Sequence, residues 1–229
     1  MNESIFFIHI FLVVGSILFS LKKGPFSLIS LIAIQAVLAN LFVVKQMKLF
    51  GFEVTCSDVF AVGSLLSLNL LQEFFGREMG KKAVSISFFA MLFFAVMSQI
   101  HLYYLPSDQD STHNSFLMIF SATPRIIFAS IAVYFIVQQL DLRLFSLLQK
   151  RLNGRYLPIR LGISLCVCQL IDTVLFSYLG LYGIVSSMFD IILISLITKW
   201  ITIACSTSLI SFAKWLIQPT GPNGKIVSI

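Results

Sequence analysis

"SLCVCQLIDTVLFSYLGLYG", residues 164–183, decides how this chain is read. As a helix the stretch is long enough to cross a hydrocarbon core of about 30 Å, and its only ionisable carboxyl is Asp172, near its middle. Centring an acid in a spanning helix costs roughly 2.5 to 3.5 kcal/mol. Asp172 is therefore expected to face protein, water or a ligand rather than lipid.

The rest of the composition agrees with a bilayer setting. Of 229 residues, 58% are hydrophobic and 11% charged, 23 are Phe, and the mean hydropathy is +0.94. Soluble domains carry about twice that share of charge. Seven apolar stretches are read as spans, over 5–21, 26–46, 56–75, 83–104, 115–139, 160–182 and 188–216. Breakers separate them: Lys22-Lys23-Gly24-Pro25, Gly51, Gly76, Pro106 with Asp108 and Asp110, Asn153-Gly154 with Pro158, and Gly183. The expected fold class is all-α, a polytopic membrane helical bundle forming one integral membrane domain over 1–229, with no room for a soluble domain. The first span reads as a retained helix, not a cleaved export sequence. Glu3 stands where basic charge belongs, and Lys22-Lys23 occupies the place of a small-residue cleavage site.

Basic residues near span ends resist translocation and so set orientation. With the N-terminus outside, the cytoplasmic side holds Lys22, Lys23, Arg77, Lys81, Lys82, Arg143, Lys150, Arg151, Arg155, Arg160, Lys214 and Lys225. The outer side holds Lys45 and Lys48, beside the acidic loop of Asp108 and Asp110. The formal charge of +6 is thus explained by topology, and no nucleic-acid partner is expected. Cys56, Cys166, Cys168 and Cys205 are irregularly spaced, which points to neither a disulfide nor a metal site.

Two bases remain inside spans, Arg125 and Lys199. Among the acids, Asp172 is deep, Glu73 lies about a turn from an inner end, and Asp58 and Asp190 are read as interfacial or helix-start residues. Deep acids and bases balance, as expected for charges that pair or line a cavity. Gln169, Asp172, Thr173 and Phe176 follow i, i+3, i+4, i+7 on one helix face, and Ser195, Lys199, Thr202 and Ser206 follow a similar spacing on another. Asn69 and Glu73 are i, i+4; Asn40 and Arg125 add hydrogen-bonding capacity. Blander roles exist for most of these. Ser and Thr in membrane helices often bond their own backbone, Glu73 could pair with Arg77, and Asn40 and Asn69 could join helices. Asp172 and Lys199 have no such excuse, since neither can snorkel to water from mid-span.

These residues carry a resemblance. "ANLFVVK" (39–45), "LNLLQEFFGREMGKKA" (68–83), Pro124-Arg125, "QLIDTVLFSYLGLYG" (169–183) and Lys199 are similar in type and order to the marker segments of the queuosine precursor transporter family, also called the vitamin-uptake-like transporter family. The resemblance runs from about residue 27 to 216. It implies a multi-pass protein of the bacterial inner membrane that imports 7-deazaguanine bases, queuine or its cyano or aminomethyl precursors, for tRNA modification. The implied core has six helices, over about 26–216, and resembles the substrate-binding subunits of energy-coupling-factor transporters; the first span is an extra helix. The positions carried over are Asn40, Lys45, Glu73, Arg125, Gln169, Asp172, Thr173 and Lys199. Where the family has an aspartate four residues before the glutamate, this chain has Asn69.

Such a base has N–H donors on one edge, a carbonyl acceptor and flat faces. A carboxylate suits the donors and a Lys, Arg or Gln suits the carbonyl. On that logic Asp172 takes the donor edge and Lys199, with Gln169 or Arg125, the carbonyl. Phe176 stacks, and Glu73 meets a cationic substituent or takes part in proton coupling. There is no H-E-x-x-H, G-x-S-x-G or P-loop, so neither an enzyme nor a built-in ATP drive is expected, and no cofactor is called for. Secondary active transport is the leading reading; the alternative is a binding subunit of an energy-coupling complex for another vitamin. A homo-oligomer and an energy-coupling partner both stay open.

The charge split yields a first prediction. Single cysteines placed at Ser107 and Lys150 should react with a membrane-impermeant reagent from opposite sides, Ser107 from outside; labelling from one side sinks the orientation.

Overall fold

The computed structural model describes residues 1–120, 124–183 and 188–213; for Pro124, Arg125, Ile127, Leu181, Asp190 and residues 211–213 the side chains lie outside the described set. The elements run α1 (Asn2–Lys23), α2 (Pro25–Phe42), β1 (Gln46–Leu49), β2 (Phe52–Thr55), α3 (Asp58–Phe75), α4 (Arg77–Leu102), α5 (His113–Phe120), α6 (Pro124–Arg151), α7 (Leu157–Phe176), a π turn (Ser177–Leu181) and α8 (Met188–Ala213). Seven of the helices, all but α5, are long and apolar enough to cross a membrane. The chain is an all-α multi-pass membrane bundle.

Local chemistry explains the breaks. Gly24 (φ 113°) and Gly76 (φ 87°) each reverse the chain in a single residue, α1 into α2 and α3 into α4. Side chains with a Cβ are strained in that region of φ, so these turns fall on glycine. Between α2 and α3 the expected long second span stops at Phe42, and a hairpin intervenes. Its strands pair antiparallel with Leu49 opposite Phe52 around Phe50-Gly51, both at positive φ, as a two-residue hairpin requires. The start of α1 holds the hairpin. Asn2 Nδ2 donates to the Lys48 carbonyl at 2.8 Å, and the Phe50 N–H donates to Glu3 at 3.2 Å.

The fifth expected span, 115–139, is displaced. A separate short α5 precedes Pro124, which opens α6 at a position where proline's missing N–H is harmless, and α6 then runs to Arg151. Residues 140–151 read as a connection because they carry Asp141, Arg143, Lys150 and Arg151. They are instead an amphipathic helix end, with Asp141, Leu142 and Phe145 buried and Arg143, Lys150 and Arg151 exposed. Arg160, expected in a cytoplasmic connection, is also fully buried, on α7.

At the centre stands α3, packed against α1, α2, α4, α6, α7 and α8. Small residues on it, Ala61, Gly63, Ser64 and Ser67, let the neighbours close in, the usual device of helix contacts in membranes. A Cβ on Gly63 would come within 2.8 Å of Val13 Cγ1 and 3.3 Å of the Gln35 amide. Gly63→Ala should therefore lower stability by about 1 to 3 kcal/mol through overpacking, read as a drop in Tm of the detergent-purified protein. Gly15→Ala, with open space around its Cβ, should leave Tm unchanged or slightly raised.

Candidate functional site: two polar layers along helix seven

The side chains with chemistry fall into two layers. The first surrounds a cavity of about 140 Å³ between α2, α3, α6, α7 and α8, in the half of the bundle that carries the hairpin. Asn40, Gln169, Asp172, Thr173, Phe176 and Lys199, all singled out in the sequence, line it together. They converge because α2 ends and α3 begins at this level, while α7 and α8 present their polar faces inward. The α7 helix loosens into its π turn directly after Phe176, so Phe176 and Ser177 stand on the cavity wall, with Gly180 behind the Phe176 ring.

Lys199 and Asp172 pair with each other. Lys199 Nζ lies 2.8 Å from Asp172 Oδ2 and donates a second bond to Thr173 Oγ1 at 3.0 Å. The lysine side chain is 7% exposed and the aspartate 25%, so the ammonium is buried while the carboxylate keeps some access to the cavity. Two of the three ammonium donors are engaged, and one remains for a ligand.

Among the lining residues that sequence reasoning did not place in the site, Asp58 is the acidic one. It is the first residue of α3, as a helix-start reading has it, yet it is 3% exposed and lines the cavity. Its Oδ1 receives only long bonds, 3.5 Å from the hydroxyls of Thr55 and Ser195, and its Oδ2 has no partner. No local signal separates it from a solvated helix-start aspartate; the hairpin over α3 makes the difference. Two more lining groups have partnerless carbonyl oxygens, Gln138, whose amide nitrogen donates to Ser64 at 3.1 Å, and Gln169. The lining thus holds a surplus of acceptors. Asn40 is held in place by the Ser130 hydroxyl. At the hairpin end, burial pushes the Cys56 thiol up, which keeps it protonated and a poor nucleophile.

Glu73 and Asn69 are not at this cavity. They belong to the second layer, in the opposite half of the bundle. Arg160 grips Glu73 with two bonds, 2.6 and 2.7 Å, and also donates to the carbonyls of Arg155 and Gly154 beyond the end of α6. Gln149 adds a bond to Glu73 at 3.1 Å. The Glu73 to Arg77 pair weighed as the blander alternative does not form; Arg77 is exposed at the start of α4. Asn69 donates to Asp141 at 3.3 Å. On α7 the two layers are joined by steps of four residues, Arg160, Ser164, Cys168 and Asp172, a column of about 18 Å. The side chains of Arg125 and Asp190 lie outside the described residues. Among the described residues no three His, Cys, Asp or Glu side chains converge as a metal site.

Comparison with known proteins adds to this geometry. A family profile described as "Putative vitamin uptake transporter" matches residues 55–213. A "Probable queuosine precursor transporter" of Bacillus subtilis (strain 168) is 32% identical over 203 residues, covering 88% of this chain and 84% of that protein. No solved structure matches.

The ion pair carries its own test. Lys199→Met strands Asp172 and should cost about 3 kcal/mol, at the low end for a buried pair because the aspartate keeps some water. Adding Asp172→Asn should recover part of that loss, giving a coupling term in a double-mutant cycle of Tm or chemical stability. Strict additivity would mean that the pair does not form.

Proposed function

Since the chain belongs to the vitamin uptake transporter family that includes queuosine precursor transporters, we propose that it imports a 7-deazaguanine base, a queuosine precursor or queuine, by secondary active transport across the bacterial inner membrane. The observation that carries the reading is the acceptor surplus of a small cavity. A partnerless buried acceptor costs roughly 1 to 3 kcal/mol, which a ligand rich in N–H groups returns on binding. A 7-deazaguanine base has such donors at N1, N2 and N9, one carbonyl at C6, and flat faces for Phe176. The cavity is small: about 150 Å³ admits one benzene, so a two-ring base fills it and the compact cyano or aminomethyl forms suit it better than queuine with its added ring.

The roles differ from those drawn from sequence alone. Asp172 is occupied with Lys199, so it holds the ammonium in place while the remaining Lys199 donor meets the ligand carbonyl. Asp58 Oδ2 takes the donor edge, with the oxygens of Gln138 and Gln169 beside it. Lys199 and Asp172 remain site residues, with one acting through the other. Because Arg160 already satisfies Glu73, that glutamate serves to fasten α3 to α7 rather than to meet a substituent.

Two measurements check this. Asp58→Asn, which offers a donor toward the ligand's own donors, should weaken binding of cyano-deazaguanine to purified protein by roughly 10- to 100-fold, the worth of a charged hydrogen bond. In a bacterium that neither makes queuosine nor has its own importer, the wild-type chain should restore queuosine in tRNA at low precursor supply. Guanine should compete and adenine should not, because adenine lacks the N1–H and N2 donors and turns an amino group toward Lys199. Uptake of thiamine or riboflavin without deazaguanine would replace the substrate while leaving the family intact.

A further inference from the structure

One buried acid has no part in the site above. Asp141, on α6, is fully buried in the second layer, where it touches Ser164 and Cys168 of α7, which stand two turns and one turn from Asp172, roughly 12 and 6 Å along the helix. Donors from two other helices converge on a single one of its oxygens. Ser164 Oγ lies at 2.6 Å, Asn69 Nδ2 at 3.3 Å and Cys168 Sγ at 3.5 Å from Oδ1. The other oxygen, Oδ2, has no partner, and neither does the side-chain carbonyl of Asn69.

The charges around it are otherwise committed. On α3, Glu73 is one turn beyond Asn69 and is held by Arg160, itself one turn before Ser164 on α7. Asp172, one turn beyond Cys168, is held by Lys199 of α8. The buried residues of α4 are Gly80, Ala83, Val84, Ser87 and Met91, none of them ionisable. On α6 itself Tyr134 bonds Ser87, and Arg143 is exposed. Among the described residues no cation forms an ion pair with Asp141. A bare carboxylate in a dry, low-dielectric site is among the most costly arrangements a protein can hold. What the cluster lacks is one donor, and one proton on Oδ2 supplies it.

We infer that Asp141 is a proton-binding site of the transport cycle, taking a proton on Oδ2 from water on one side of the membrane and releasing it to water on the other. This rests on the transporter reading and extends it to the energy source. The carboxyl goes from charged to neutral and back, with no other bond made or broken. A sodium ion fits the arrangement less well, because the close neighbours of Oδ1 are an N–H, an O–H and an S–H group rather than a ring of free oxygens. Position favours the role too, since the α7 column runs from Asp172 past Cys168 and Ser164, which both touch Asp141.

Two experiments test it, one of them independent of substrate. In pH-difference infrared spectra of the purified wild-type protein, a protonated carboxylic acid band should titrate, vanish in Asp141→Asn, and shift in Ser164→Ala, which removes the shortest donor. A spectrum unchanged in both variants overturns the assignment, and Ser164→Ala alone decides if Asp141→Asn does not fold. In proteoliposomes with cyano-deazaguanine as the probe, one proton per molecule sustains about tenfold accumulation per unit of pH gradient. Asp141→Asn should still bind the probe and exchange it across the membrane but lose that accumulation. Accumulation equal to wild type in Asp141→Asn, or wild-type accumulation driven by sodium and indifferent to pH, overturns the proposal. Should the probe not bind wild-type protein, the substrate reading fails and the infrared titration still decides Asp141.

Discussion

The contact between Lys199 and Asp172 sets the terms for the rest of the site. An ammonium in mid-membrane cannot stand alone, and a carboxylate one helix away answers it at 2.8 Å, joining α7 to α8 on the cavity wall. Once they are joined, neither is free to act as an isolated charge. The open acceptor in the cavity passes to Asp58, and the open donor is what remains of the ammonium. The cavity wall therefore carries a fixed dipole together with an open acceptor.

The second layer follows the same physics with a different outcome. Arg160 forms a bidentate pair with Glu73, donates to the carbonyls of Arg155 and Gly154, and lies over the Phe145 ring at 5.4 Å. All of these contacts hold α3, α6 and α7 together at one end of the bundle, a fastening by planar, charge-assisted bonds that a lysine could not reproduce. Asp141 of α6, whose donor Ser164 is one turn from Arg160 along α7, has donors but, among the described residues, no cation. A saturated acid and an unsaturated one thus stand in the same layer, Glu73 with its charge fully answered and Asp141 with one oxygen left open.

The two layers also give α7 its particular importance. It carries Arg160, Ser164, Cys168, Gln169, Asp172 and Thr173 on its inward side, and its regular winding gives way to a π turn at the cavity. Around it, α3 supplies the close approach, since its small residues let every other long helix touch it. A polar column on one helix, enclosed by a tightly packed partner, is a way to keep many hydrogen-bonding groups in a bilayer without exposing them to lipid.

Membrane class, the seven helices long and apolar enough to span among the described residues, and the residues of two polar helix faces were legible in the sequence, because hydropathy over about 20 residues and a period near 3.6 are local quantities. Asp172 and Lys199 stood out for the same reason: a charge amid apolar neighbours is conspicuous wherever the helix sits. The hairpin, the true extent of α6 and the roles of Asp58, Asp141 and Arg160 were not legible. Each of those residues lies at or near the end of an apolar run, where a charge ordinarily marks an exit to water. Asp141 is joined instead to Asn69, 72 residues away, and Arg160 to Glu73, 87 residues away. Whether a charge at a helix end meets water or another helix is decided by packing between distant segments, and only the tertiary structure contains that.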